Sequence, residues 1–327
     1  MKWISRVQFL GAAAACVLLA GCSGGSAIAP GASSARSGSH TRFDHIVSRY
    51  SCPATGSLRY VSDALNNVIN VYTGPFAGQQ PCGQIAASGF SGPVGMHVVV
   101  STHDLYVANW HGGNIFVFHR GDTIPYNTYT DPSGQLPTDV TVAPDGTVVA
   151  SNDLCSLSTW IAGPNGGTYV GTFPKPTCRE VGITFIAAAS NGTLYYVNAK
   201  SGRNRAKLWS VSCPGGNCNV PVEIPGAKVN FFGSGVAVDT AGSVLAVKAS
   251  ANGRNNKLAT FTLPNPNPSI MVLSPGFPLG IAINQQDDLL FVANNTGATE
   301  YKYPGGTVVG TVAGNQGGAM DGIAIDP

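Results

Sequence analysis

One pattern recurs along this chain and limits its fold more than any other feature. An apolar strand ending in a polar residue appears as RYVSD (59–63), LYVAN (105–109), VVASN (148–152), LYYVN (194–198), VLAVK (244–248) and LFVAN (290–294). Its end positions are spaced by 46, 43, 46, 50 and 46 residues. A second piece precedes it in five copies: VGMHV (94–98), TDVTV (138–142), VGITF (181–185), SGVAV (234–238) and LGIAI (279–283). Between the two lie turn formers such as Pro144-Asp145-Gly146, Asn191-Gly192 and Ala241-Gly242, which suit tight hairpins. A repeat of this length marks a solenoid, an array or a propeller.

A third strand follows each copy, from NVINVY (67–72) and NIFVFH (114–119) to TEYKYP (299–304). A fourth comes next, as in TYVGTF (168–173), SIMVLS (269–274) and TVVGTV (307–312). Four short strands per repeat without helical periodicity describe an all-β propeller blade. The ends set the blade count. The last seven residues, Asp321 to Pro327, are a sixth copy of the first strand with no successor, and the strand at 59–63 has no predecessor. If the C-terminal strand becomes the innermost strand of the N-terminal blade, the ring closes with six blades and no free inner edge.

The clearest copy, Gly280-Ile281-Ala282-Ile283 with Leu290-Phe291-Val292-Ala293-Asn294, resembles the NHL-repeat-like and gluconolactonase-like six-bladed propellers. The resemblance covers roughly residues 55–327. It implies four-stranded blades and a ligand face where second-to-third-strand loops and interblade loops gather, here called the upper face. These folds host lyases, lactonases and binding modules, so the resemblance does not choose among them.

The N-terminus reads as an address. Lys2 and Arg6 form a short basic region, and Phe9 to Ala20 is apolar but too short to span a bilayer. Leu19-Ala20-Gly21-Cys22 resembles the bacterial lipobox, which implies lipidation of Cys22 after cleavage. The expected organisation is a lipoprotein signal peptide over 1–21, lipidated Cys22 and a flexible Ser/Gly-rich tether over 22–50, and the propeller over 51–327. The location is the bacterial cell envelope, with the membrane reached through the lipid anchor. Without Lys2 and Arg6, the 18 basic and 16 acidic residues become equal in number. A neutral chain carries no global footprint for nucleic acid.

Six cysteines remain outside the signal and Cys22. Export and an even count point to disulfides, and the blade phasing pairs Cys52 with Cys82, Cys155 with Cys178, and Cys213 with Cys218. Each of these pairs shares one face of the ring.

Chemistry is sparse. The Asp or Asn closing most second strands (Asp63, Asn109, Asn152, Asn198, Asn294) suits tight turns better than a ring of cation ligands. His97 is expected near the channel as a packed or hydrogen-bonded residue. No cofactor is expected on the leading reading. A divalent metal enters on the alternative of a gluconolactonase-like hydrolase or lyase, with Asp139, Glu180 and Asp321 as candidate ligands at the channel ends of first strands. The Glu-Gly-Pro opening of the lactonases is absent. The leading reading is a non-enzymatic envelope lipoprotein that binds a glycan or a protein partner; a third reading is a scaffold of an envelope assembly.

Two places carry the binding reading. Residues 198–207 and 248–257, corresponding loops of adjacent blades, hold Lys200, Arg203, Arg205, Lys207, Lys248, Arg254 and Lys257 and no acid. Such a basic sector attracts an anionic glycan or an acidic protein surface. Trp110 and His111 interrupt another loop with two rings, which either stack on a ligand or cover the hairpin beneath.

Overall fold

Along one strand of the second blade, Leu105 and Val107 pack toward the first blade while Tyr106 and Ala108 pack toward the third. Successive side chains of a strand point to opposite faces of its sheet. A strand that is apolar at every position therefore demands a neighbour on both sides, which a ring of radial sheets supplies. The computed structural model describes residues 49–153, 156–174, 185–198, 206–229, 235–248, 255–274, 276–295, 297–313 and 320–327, within one unit spanning Ser48–Pro327.

Blade 1 holds β1 (Arg49–Tyr50), β2 (Leu58–Asp63), β3 (Val68–Thr73) and β4 (Gly83–Ile85). Blade 2 holds β5 (Pro93–Val99), β6 (Asp104–Asn109), β7 (Asn114–Phe118) and β8 (Asn127–Thr130). Blade 3 holds β9 (Pro137–Val142), β10 (Thr147–Asn152), β11 (Ser156–Ile161) and β12 (Thr168–Pro174). Blade 4 holds β13 (Ile186–Ala188), β14 (Thr193–Asn198), β15 (Ala206–Ser212) and β16 (Val222–Val229). Blade 5 holds β17 (Val236–Val238), β18 (Val244–Lys248), β19 (Lys257–Phe261) and β20 (Ser269–Val272). Blade 6 holds β21 (Pro278–Ile283), β22 (Leu289–Asn294), β23 (Gly297–Lys302) and β24 (Val308–Ala313), and β25 (Met320–Asp326) returns to blade 1. The expected six-bladed ring is the one observed. Five sheets have four strands; the first has the order β1-β4-β3-β2-β25, with β1 as an added outer strand.

Six apolar clusters fill the six seams between blades. Closure is braced by polar contacts on both sides of the first blade. β25 pairs antiparallel with β2, Ser62 Oγ accepts from Gly322 N–H at 2.8 Å, and Asp326, fully buried, binds Arg120 and His103 of blade 2 at 2.5 Å each. Across the other seam, Arg59 of blade 1 meets Glu300 of blade 6 at 3.7 Å, both buried, and Glu300 also accepts from Phe76 N–H at 2.8 Å. Phe76 lies against β24 so closely that a Cβ on Gly310 would come within 1.3 Å of its carbonyl oxygen. Only glycine admits that approach.

The Cys52–Cys82 bridge ties the segment after β1 to the one before β4, with Cα atoms 5.0 Å apart. Cys213–Cys218 closes a short turn around Pro214–Gly216. Cys155 and Cys178 lie outside the described residues, as do Cys22 and the N-terminal segments.

Candidate functional site

The innermost strands of all six blades surround a cavity of about 340 Å³ on the ring axis. It reaches the first-to-second-strand turns at Val100, Ser190, Thr240 and Gln285, which form the lower face. Its wall is mainly aliphatic, with Ile186, Val236, Ile281 and Ile323 among the lining residues. The polar exceptions at mid-channel come from two neighbouring strands, β5 and β9: His97, Asp139 and Thr141.

Asp139 occupies the position where other repeats have glycine. Its carboxyl reaches across blade boundaries on both sides. Oδ2 accepts from Ile186 N–H of blade 4 at 2.8 Å, and Oδ1 fills the space over Gly95 of blade 2, where a Cβ would be 2.0 Å away. Burial pushes the group up to about 8, and the backbone N–H groups of Ile186 and Val140 offset that only in part. The raised value favours the neutral carboxyl, which is bonded within the protein. The candidate metal ligand read from the sequence is thus engaged in the channel by the backbone of the next blade. Glu180 and the side chain of Asp321 lie outside the described residues, and no group of three or more His, Cys, Asp or Glu residues suited to a metal occurs among the described ones.

His97 pairs with Tyr106 of β6 and lines the channel. Burial in the channel pushes its imidazole down to about 4, leaving it neutral. The sequence suggested a packed or hydrogen-bonded histidine near the channel; His97 does line the channel, and its ring makes no hydrogen bond to a described residue. Thr141 stands two residues after Asp139; its Oγ1 is buried and lacks a hydrogen-bond partner among the described residues. Sequence reasoning passed over Thr141 because Thr alternating with Val is ordinary strand composition.

On the upper face, the repeated Asx residues do turn work. Asp63 accepts from Asn66 N–H at 3.1 Å and from its amide at 2.8 Å. Asn109 accepts from Ser91 N–H at 2.6 Å and donates to Gly89 C=O and Asn114. These groups are buried, bonded to the protein and unavailable to form a cation ring.

Trp110 and His111 form a stacked pair with ring centroids 4.2 Å apart and planes inclined by 24°. The indole is half-buried and donates to Asp153 Oδ2 at 3.3 Å, while the imidazole is exposed. Trp110 thereby ties its loop to blade 3, and His111 presents an exposed ring.

Three lysines of the basic sector are described; Lys200, Arg203, Arg205 and Arg254 lie outside the described residues. Lys207 is neutralised by Glu223, 2.5 Å away. Lys248 and Lys257 stand directly opposite each other on β18 and β19 at the upper end of blade 5. Burial and then the Lys257 charge lower the Lys248 ammonium from its usual range. Neither makes an ion pair among the described residues. Like charges in direct cross-strand register oppose sheet formation.

No family model matches the chain, and no curated protein matches it. Solved structures do. A chain of the nidogen/laminin complex is 13% identical with a TM-score of 0.62, covering 83% of this chain and 99% of that one. A protein of unknown function from Bacteroides caccae is 11% identical with a TM-score of 0.60, again covering 83% and 99%. A putative gluconolactonase is 13% identical with a TM-score of 0.53, covering 72% and 81%. At such identities the likeness shows the fold alone, and it agrees with the NHL-like and gluconolactonase-like architecture expected from the repeat.

Proposed function

We propose that this chain is a non-enzymatic, lipid-anchored protein of the bacterial cell envelope whose propeller captures an anionic glycan on its upper face. The observation that carries the reading is the Lys248–Lys257 pair: two ammonium groups in direct register, with no neutralising acid among the described residues. A bound carboxylate or phosphate relieves that repulsion and so gains affinity that a neutral ligand does not. Lys200, Arg203, Arg205 and Arg254 add charge of the same sign in the corresponding loops of blades 4 and 5. Arginines supply bidentate contacts, and lysines supply steering. His111, exposed on its stacked indole, offers a second contact on the same face.

The test uses the mature chain in detergent on immobilised polygalacturonate and on envelope polysaccharide. Lys248→Ser/Lys257→Ser and Arg203→Ser/Arg205→Ser/Arg254→Ser are each compared with the parent at low and moderate salt. Each variant should elute earlier, with the difference shrinking as salt rises. Unchanged elution of both variants rejects the basic-rim site. Changing Cys22 to Ala tests the anchor: palmitate labelling should be lost.

A further inference from the structure

The basic pair of blade 5 borders an uncovered aliphatic strip on β20. We infer that the anionic glycan taken by this rim is a glycolipid, its acidic sugar held by Lys248 and Lys257 and its alkyl chain laid on Val272 and Ile270. The inference rests on the basic-rim reading above and names the class of ligand within it.

Strand pairing fixes which side chains share a side of the sheet. Lys248 stands opposite Lys257, and Lys257 opposite Val272, so one row crosses β18, β19 and β20. Two places along, Ala246, Ala259 and Ile270 form the next row on the same side. Ala246 and Ala259 pack with Val197 and Leu208 of blade 4, which identifies the side as the one facing that blade. Val272 therefore lies about 5 Å from Lys257, and Ile270 about 7 Å further along β20. The corresponding rows are Asn109, Asn114 and Thr130 in blade 2, and Asn294, Gly297 and Ala313 in blade 6. Neither carries a charge, so the joining of ammonium groups to an aliphatic strip distinguishes blade 5 from both.

The strip is held in place but not covered. Met271 points to the other side and packs against the cluster that holds Leu290 and Tyr301 of blade 6. A Cβ on Gly306 would come 2.8 Å from Met271 Cγ, so β20 is seated firmly on blade 6. On the side toward blade 4, Ile270 is 47% exposed and Val272 67%. Blade 4 adds Val222, also exposed, which shares its strand side with Ile224, a member of the cluster between blades 4 and 5. Glu223 faces away, because its cross-strand partner Trp209 packs toward blade 3. Exposed aliphatic groups so arranged favour a hydrocarbon occupant. The ammonium groups beside them select its charge, and the lysine stems extend the apolar surface up to the headgroup. A free sugar acid uses only the lysines, and a neutral chain only the strip. A glycolipid uses both.

The experiment titrates three probes calorimetrically into the mature chain held in discs of zwitterionic lipid, with empty discs to subtract partition. The probes are methyl β-D-glucuronide, hexyl β-D-glucuronide and hexyl β-D-glucoside. The parent should bind the hexyl glucuronide about tenfold more tightly than the methyl glucuronide, and more tightly than the hexyl glucoside. Ile270→Ser/Val272→Ser alters exposed side chains. It should bring the hexyl glucuronide down to the affinity of the methyl glucuronide and leave polygalacturonate retention unchanged. Equal affinity of the parent for the two glucuronides overturns the inference, and that comparison needs no variant. Hexyl glucuronide binding that is absent, that the variant leaves intact, or that the hexyl glucoside matches overturns it as well. Polygalacturonate retention that persists in those cases leaves the basic-rim reading standing, whereas its loss together with both glucuronides overturns the two readings at once.

Discussion

Replacing Asp139 with Asn should reshape the pH dependence of stability, and the two buried channel groups give the size of the change. In the folded chain the Asp139 carboxyl is pushed up to about 8, whereas an unfolded aspartate titrates near 3.9. Between those values the folded state holds a proton that the unfolded state has released. Stability therefore falls as pH rises, by about 1.4 kcal/mol per pH unit. His97 works in the opposite sense. Its folded value of about 4 lies below the unfolded value near 6.5, so stability falls as pH drops through that interval. The two slopes cancel between roughly pH 4 and 6.5 and leave a decline from 6.5 to 8 of about 2 kcal/mol. The amide introduced by Asp139→Asn would keep an acceptor for Ile186 N–H but would not titrate. Relative to the parent, Asp139→Asn should lose the decline above pH 6.5 and show stability rising with pH below it. Urea unfolding at half-unit intervals from pH 4 to 8 measures both limbs. Parent and variant curves that run parallel across pH 6.5–8 would refute the buried, protonated carboxyl.

The remaining expectations concern the ring. Removing Cys52–Cys82, which closes a 30-residue separation, should cost about 3–4 kcal/mol, against about 2 kcal/mol for Cys213–Cys218 across a separation of 5; denaturant midpoints under non-reducing conditions test the order. Arg59→Met leaves the Glu300 carboxylate buried with Phe76 N–H and should cost about 3–5 kcal/mol. Arg59→Met/Glu300→Gln should recover part of that loss, because an amide oxygen still accepts from Phe76; equal stability of the single and double variants speaks against a charged seam. Deleting residues 320–327 exposes β2 as an inner edge and should produce aggregates on size exclusion, whereas a monomer with an unchanged melting midpoint would show that β25 does not close the ring.

What could be read from the sequence follows from what blades need. Second and third strands stand between two neighbours, so β6, β10, β14 and β22 carry an apolar run through their middles and betray themselves at a fixed spacing. Outer strands leave a weaker trace. β4 is the tripeptide Gly83-Gln84-Ile85, β8 is Asn127-Thr128-Tyr129-Thr130, and β1 is two residues held by pairing with β4 and by the nearby disulfide. Partnership, not pattern, makes them strands. In the channel, the exchange of glycine for Asp139 was visible in the repeat, but its meaning was not. The carboxyl binds the backbone of the next blade, a relation set by ring geometry and invisible to spacing along the chain. The pairing of Lys207 with Glu223 was hidden for the same reason, since β15 and β16 meet only once the hairpin forms.

The claim that this propeller recognises an anionic glycan through charge is tested most directly by calorimetric titration of the mature chain with polygalacturonate and with the same polymer after its carboxyl groups are reduced to alcohols. Size, sugar ring and linkage are then matched, and only the charge differs. Saturable binding of the acid form that disappears with the reduced form is the result expected of the Lys248–Lys257 rim. Equal affinity for both polymers, or binding to neither that polymer pair nor acidic envelope polysaccharide, would contradict it.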